Sequence, residues 1–127
     1  EHLQSAGQAR AVVTNSGCAN ACTGPQGLAD AREMAALTAA ALGCAPGDVL
    51  VASTGVIGVN LKMAALRGGI PQAAAALSSD GGGAAADAIM TTDPFPKSAA
   101  VEVTTPAGTF RVGGMAKGSG MIEPRMA

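Results

Sequence analysis

Only two of the 127 side chains are aromatic, Phe95 and Phe110, although 48% of the residues are hydrophobic and neither Trp nor Tyr occurs. This pairing of high hydrophobicity with few large rings limits the fold more than any motif does. Much of the apolar content is alanine, which removes little area from water per residue and cannot fill wide gaps between layers. Helices must therefore approach their neighbours through Ala and Gly faces, and the core is expected to be incomplete without a partner chain. A self-sufficient small domain is the alternative. The length suits one modest domain with one core, so a single domain over residues 1–127 is the expectation.

Charge excludes several functions. The formal net charge is -1 and only 13% of residues are charged, which gives no electrostatic footprint for nucleic acid, and two Phe do not make a base-stacking platform. The uncharged stretches Ala35–Gly47 and Val49–Leu61 are interrupted by Gly and Pro and fall short of the roughly 18 apolar residues of a membrane span, and no signal peptide is visible. Cys18, Cys22 and Cys44 form an odd set that argues against a disulfide framework and for a cytoplasmic chain of small buried cysteines. Cys18 and Cys22 have metal-ligand spacing, but the only histidine is His2 and there is no second ligand pair, so no metal is expected.

Local patterns predict a mixed α/β domain with helices packed on β-sheet, in the order β-α-β-α-α-α-β-β. Ala9–Thr14 is a buried strand, and Asn15–Gly24 a loop of small residues. Pro25 opens a helix whose apolar positions Leu28, Ala31, Met34/Ala35, Thr38 and Ala41/Leu42 recur at helical spacing until Gly43 closes it. Val49–Ser53 is a second buried strand that ends in a turn at Thr54-Gly55. Asn60 caps a helix over Leu61–Leu66, and Pro71 starts another through Leu77. After the Ser78–Gly83 loop, Ala84–Met90 is helical, and Ser98–Thr105 and Thr109–Val112 form a hairpin with one wet face around Pro106-Ala107-Gly108. The Gly- and Lys-bearing segment Gly113–Ala127 stops after Met126-Ala127, while Glu1 is no initiator methionine; the expectation is a piece of a longer translation product.

Candidate chemistry is sparse. One histidine at a chain end does not make a Ser-His-Asp or Cys-His set. Ala116-Lys117-Gly118 departs from the phosphate-loop order of Gly, Lys, then Ser or Thr. Three features remain, each with a plainer explanation. Ser53-Thr54-Gly55 pairs a hydroxyl with an unshielded backbone N–H, suited to a developing oxyanion, or it is an ordinary strand-ending turn. Met90-Thr91-Thr92-Asp93 is a polar pocket wall or a helix stop before Pro94. Lys117, among Gly and Ala, is free of neighbouring bulk to meet a carboxylate, or it is a solvated surface lysine.

Four stretches in register resemble the ornithine acetyltransferase (glutamate N-acetyltransferase) family of arginine biosynthesis, specifically its α chain. They are Asn15-Ser16-Gly17 with Ala19-Asn20-Ala21 and Thr23-Gly24; Ser53-Thr54-Gly55-Val56-Ile57-Gly58; Ala88-Ile89-Met90-Thr91-Thr92-Asp93 with Pro96-Lys97; and Gly114-Met115-Ala116-Lys117-Gly118-Ser119-Gly120-Met121-Ile122 with Pro124 and Met126-Ala127. The resemblance implies an α/β fold of the DmpA/ornithine acetyltransferase type, completed by a partner β chain in an α2β2 heterotetramer. It implies a precursor that cuts itself after Ala127, freeing a β-chain threonine whose own α-amine serves as base to its hydroxyl. Thr54 and Gly55 are then the oxyanion hole, and Thr91 and Lys117 bind substrate, with Lys117 meeting an amino-acid carboxylate. Acetyl would pass from N-acetylornithine to glutamate without metal or bound cofactor; some members also accept acetyl-CoA. Glu123 departs from the family's usual small residue, and members carry a further segment before the first strand. A related threonine-nucleophile amidohydrolase or aminopeptidase, and a non-catalytic module that binds small carboxylates, are the competing readings.

Overall fold

The computed structural model describes residues 8–120. They fall into two compact units, one ending at Ser78 and one beginning at Ser79.

The first unit is a right-sized βαβ device followed by a helix. Strand β1 (Ala11–Cys18) and strand β2 (Val49–Val56) pair in parallel, from Ala11 opposite Val49 to Cys18 opposite Val56. Parallel neighbours cannot be joined by a hairpin, and helix α1 (Gly24–Leu42) is the crossover. Its sequence sets both ends: Pro25 lies in the first turn, and Gly43 takes the left-handed conformation (φ 68) so that its N–H reaches the Ala39 carbonyl. A 3-10 turn, Pro46–Asp48, leads into β2, and helix α2 (Met63–Ala75) follows it.

The core of this unit is small in area and tightly closed. Met34 and Val49 are fully buried. Met34 gathers Cys18, Leu61, Met63 and Ile70, while Ala35, Ala39 and Val49 make a second cluster that shares Val13 and Val51 with the first. The alanines of α1 let the helix lie close to the strands, as the aromatic-poor composition requires. Thr38 is buried too, its hydroxyl donating to the Met34 carbonyl at 2.9 Å. On the surface, Arg67 of α2 grips Glu33 of α1 with Nε to Oε1 at 2.5 Å and Nη2 to Oε2 at 3.0 Å. The opposite face of the sheet is open, with Val12, Leu50 and Val56 exposed.

Several expectations for this unit need correction. Residues 15–18 are strand rather than loop, because each pairs with a residue of Ser53–Val56, and Thr54-Gly55 therefore lies inside β2 rather than in a turn. Leu28 and Leu42 are exposed; the buried stripe of α1 instead passes through Gly27 and Asp30. A Cβ at Gly27 would collide with the Thr23 and Asn20 side chains, so the absence of a side chain seats the helix there. Pro71 does not begin a helix but sits inside α2, where buried Met63 and Ile70 hold the axis at the cost of one backbone hydrogen bond. Asn60 lies outside that helix, whose N-cap is Lys62. Cys22 is exposed, in the β1–α1 loop at φ 58.

The second unit holds helix α3 (Gly82–Ala88) and a hairpin of β3 (Lys97–Thr105) and β4 (Gly108–Ala116). Pro106-Ala107 is the two-residue turn, and Gly108 beyond it has φ 132. The helix starts and stops two residues earlier than Ala84–Met90, and β4 continues to Ala116, so Gly113–Ala116 are strand rather than loop. The expected alternation is present: Val101 faces Val112 and Val103 faces Phe110, with Glu102 opposite Arg111 and Thr104 opposite Thr109 between them. The expected single wet face is not, since Val101, Val103, Phe110 and Val112 are exposed as well. Ala86 is the one buried hydrophobic residue among the described residues of this unit.

Candidate functional site

In the first unit the candidate chemistry sits at the end of β2. Gly55 has φ 130 and lies opposite Gly17, whose φ is 110. Both values are in the region that favours glycine, and a Cβ on Gly55 would run into the Gly17 backbone. Gly55 thus meets a backbone that any side chain on it would hold away, whereas at Gly17 a Cβ would meet nothing and only the φ asks for glycine. Thr54, one residue before, is half-buried opposite Ser16. The ladder is carried past the strand ends by Ala19 N–H to Val56 O at 2.9 Å and Gly58 N–H to Ala21 O at 2.8 Å. Asn20, at φ 50, fastens this loop to α1, donating to Gly27 O and accepting from the Thr23 hydroxyl, both at 2.8 Å. Asn15 donates to Cys18 O at 3.0 Å, while its Oδ1 is buried without a partner. Thr54 and Gly55 are therefore held by main-chain pairing on one side and a pinned loop on the other.

In the second unit the fold joins two residues that are far apart in sequence. Lys117, just past β4, donates from Nζ to the Thr91 hydroxyl at 2.8 Å. Beside this contact is Asp93, whose side chain has no exposed surface. Oδ1 accepts from Lys97 Nζ at 2.6 Å and from Gly118 N–H at 2.5 Å, and Oδ2 accepts from Thr91 N–H at 3.3 Å. The Lys97 hydrogen bond, then those from Gly118 and Thr91, hold the Asp93 carboxyl well below the usual carboxylate range against the opposing effect of desolvation. Lys97 also lies over the Phe95 ring, 5.0 Å from its centre, an attractive cation–π placement.

Of the residues singled out in the sequence, Thr54 and Gly55 are neighbours on β2, and Thr91 and Lys117 are in contact in the second unit. His2, Glu123 and the expected cleavage point at Ala127 lie outside the described residues. Asp93 enters the sequence reading only within Met90–Asp93, as pocket wall or helix stop, and Lys97 only within a resembling stretch, although an Asp four residues before a Lys, next to Pro94, is a legible signal for a local ion pair. A shallow groove of about 750 Å³ runs over the hairpin between Phe95 and Ala116, and neither Thr91 nor Lys117 lines it. Among the described residues no group of three or more His, Cys, Asp or Glu could hold a metal ion, and no helix is long and apolar enough to cross a membrane.

The ArgJ family model matches residues 1–127. The chain belongs to the ArgJ family. Among its curated relatives, the arginine biosynthesis bifunctional protein ArgJ of Symbiobacterium thermophilum is 60% identical over 121 residues, covering 95% of this chain and 30% of that protein. ArgJ of a Synechococcus strain is 60% identical over 119 residues, 94% of this chain and 29% of that protein. This chain thus spans about 30% of the length of the curated ArgJ proteins it matches. Among solved structures, ornithine acetyltransferase from Mycobacterium tuberculosis in complex with ornithine is 43% identical, with a TM-score of 0.88 over 97% of this chain and 67% of that one. ArgJ from Bacillus halodurans is also 43% identical, with a TM-score of 0.81 over 89% of this chain and 59% of that one. The mixed α/β fold is that of these ArgJ structures.

Proposed function

We propose that this chain is the α subunit of a self-processed glutamate N-acetyltransferase in arginine biosynthesis, its two units forming one domain that a β chain completes. The contact between Lys117 and Thr91 carries the reading, because it sets an ammonium and a hydroxyl side by side, as the recognition of a small carboxylate requires. The names of the relatives, and the ornithine held by the mycobacterial structure, support the substrate class.

The nucleophile is the threonine that cleavage after Ala127 exposes. Its hydroxyl adds to the acetyl carbonyl of N-acetylornithine while the hydroxyl proton passes to its own α-amine. The carbonyl oxygen becomes an oxyanion beside Thr54 and Gly55, and collapse breaks the C–N bond as the departing ornithine amine takes up that proton. The glutamate amine then attacks the acyl-threonine, its proton passing to the threonine α-amine; collapse breaks the ester C–O bond, the threonine oxygen recovers that proton, and N-acetylglutamate leaves. Lys117 and Thr91 hold the α-carboxylate of each substrate in turn. The assembly is an α2β2 heterotetramer in the cytoplasm, a reducing compartment suited to free Cys18, Cys22 and Cys44.

Lys117→Met in the full-length, processed enzyme tests this. Removing one member of a desolvated charge pair should lower kcat/KM for both N-acetylornithine and glutamate by about two to three orders of magnitude. Unchanged values for both substrates would return Lys117 to a solvent role. Release of acetate with no transfer to glutamate in the unmodified enzyme would instead make it a hydrolase.

A further inference from the structure

Asp93 has no assigned part in binding, yet its carboxylate is where the two binding residues are tied together. Gly118 follows Lys117 directly in the chain, and its N–H is aimed at Asp93 Oδ1 from a backbone at φ 142, a conformation open to glycine. The Thr91 N–H meets Oδ2 of the same carboxylate, and the Thr91 hydroxyl accepts from Lys117. A closed circuit results: Thr91 to Asp93, Asp93 to Gly118, Gly118 to Lys117 along the chain, and Lys117 back to Thr91. Such a circuit fixes the ammonium and hydroxyl at one spacing before any ligand arrives, so that binding does not have to order them.

A carboxylate this close to a carboxylate-binding lysine would ordinarily work against it, by competing for the ammonium and repelling the substrate. Lys97 removes that conflict, because its Nζ is 2.6 Å from Asp93 Oδ1 and its charge is matched there. We infer that Asp93 is a positioning residue for the Lys117–Thr91 pair and that Lys97 is its counter-ion rather than a second ligand for the substrate. The inference rests on the proposed role of Lys117 and extends it.

The test is a set of mutant cycles in the full-length, processed enzyme, with kcat and KM measured for N-acetylornithine and for glutamate. Asp93→Asn keeps the size but removes the charge and turns one of the two acceptor oxygens into a donor, which must then face either Lys97 and Gly118 or the Thr91 N–H. It should lower kcat/KM about 10- to 100-fold for both substrates, the usual weight of a hydrogen bond to a charged group, and chiefly through KM. Combined with Lys117→Met, its further effect should shrink to about threefold or less, because the ammonium it positions is gone. Lys97→Met leaves the backbone donors and Asp93 in place and supplies the same comparison should Asp93→Asn fail to fold or process; its loss should be smaller and should also vanish in the Lys117→Met background. Additive effects in these cycles, or a loss confined to kcat, would overturn the role of Asp93 while Lys117→Met still shows its own loss. An inert Lys117→Met would overturn the binding reading first, and this inference with it.

Discussion

Each of the two units of this chain is stabilised internally by different physics. The first buries Met34 and Val49 completely and packs alanines of α1 against a parallel strand pair, so its order comes from apolar area removed from water. The second buries one apolar residue, Ala86, among those described, and its hairpin exposes Val101, Val103, Phe110 and Val112. Its described order is polar instead: the side chain of half-buried Asp93 has no exposed surface and is satisfied by two backbone N–H groups and an ammonium. Apolar packing alone tolerates some redistribution of side chains, whereas a satisfied buried carboxylate fixes its partners in place. The candidate binding pair belongs to the polar unit and the candidate oxyanion donors to the apolar one. Under the proposed function each kind of interior would meet a different demand, directional charge recognition in one and a rigid backbone in the other.

The sharpest test of this contrast is a pair of truncations in the 127-residue chain. Met34→Ala opens a cavity at the centre of the first cluster and should cost about 2–5 kcal/mol in urea denaturation. Phe110→Ala removes a larger side chain from an exposed strand and should stay within about 0.5 kcal/mol. Equal costs would break the comparison. Repeating Phe110→Ala in the full-length, processed protein sharpens it, since a cost rising toward that of Met34→Ala would mean that another part of that protein covers the hairpin.

The contrast also explains what could be read from the sequence. Helix α1 was legible because its limits are local: Pro25 favours the first turn and Gly43 supplies the left-handed stop. The hairpin was legible for the same reason, through alternation and a Pro106-Ala107-Gly108 turn. Gly55 was misread as a turn because glycine in a strand has no local signature. Its reason for being there is Gly17, on another strand, and only the pairing reveals it. Pro71 was misread because the burial of Ile70 against α1, a tertiary effect, overrode the local preference to begin a helix there. Thr54-Gly55, Thr91 and Lys117 stand out by residue type, each beside a plainer explanation, and only the family resemblance gives them roles. The sequence places Asp93 in a pocket wall or helix stop but not against Gly118, because the chain brings those two together only through the fold.

Within the apolar unit, the next largest effect should come from the end of β2. Thr54→Ala removes a hydroxyl from a half-buried strand position and leaves the Met34 and Val49 clusters untouched, so unfolding should change little. If the hydroxyl is a principal oxyanion donor, kcat in the processed enzyme should fall by roughly two to three orders of magnitude with KM nearly unchanged. A change in KM alone would make Thr54 a binding residue and remove the division of labour between the two units. Gly55→Ala should behave differently, because its Cβ would displace the Gly17 backbone. Loss of stability is its expected first symptom, read as a lower unfolding midpoint before any kinetic measurement.

The smallest expected effect is electrostatic and compares one carboxylate from each unit. Glu33 is lowered in pKa chiefly by its hydrogen bond from Arg67, and Asp93 chiefly by its hydrogen bond from Lys97. In both cases the folded-state value lies below the unfolded one. Each therefore contributes stability that is fully present above the ordinary carboxylate pKa of about 4 and is lost progressively as pH falls from there through the lowered value. Their surroundings differ, however. The Glu33–Arg67 pair lies in solvent, where salt screens it, whereas Asp93 also accepts two backbone N–H bonds and has no exposed side-chain surface. An NMR titration at low and at high salt should show the Glu33 midpoint climbing back toward its ordinary value as salt is added, with the Asp93 midpoint almost unmoved. The Gly118 amide, which donates to Asp93, should stay flat from neutral pH down to about 4 and shift only below that. A Gly118 amide that moves with salt as readily as Glu33 does would mean that solvent reaches Asp93, and that the second unit lacks the fixed polar interior on which the comparison depends.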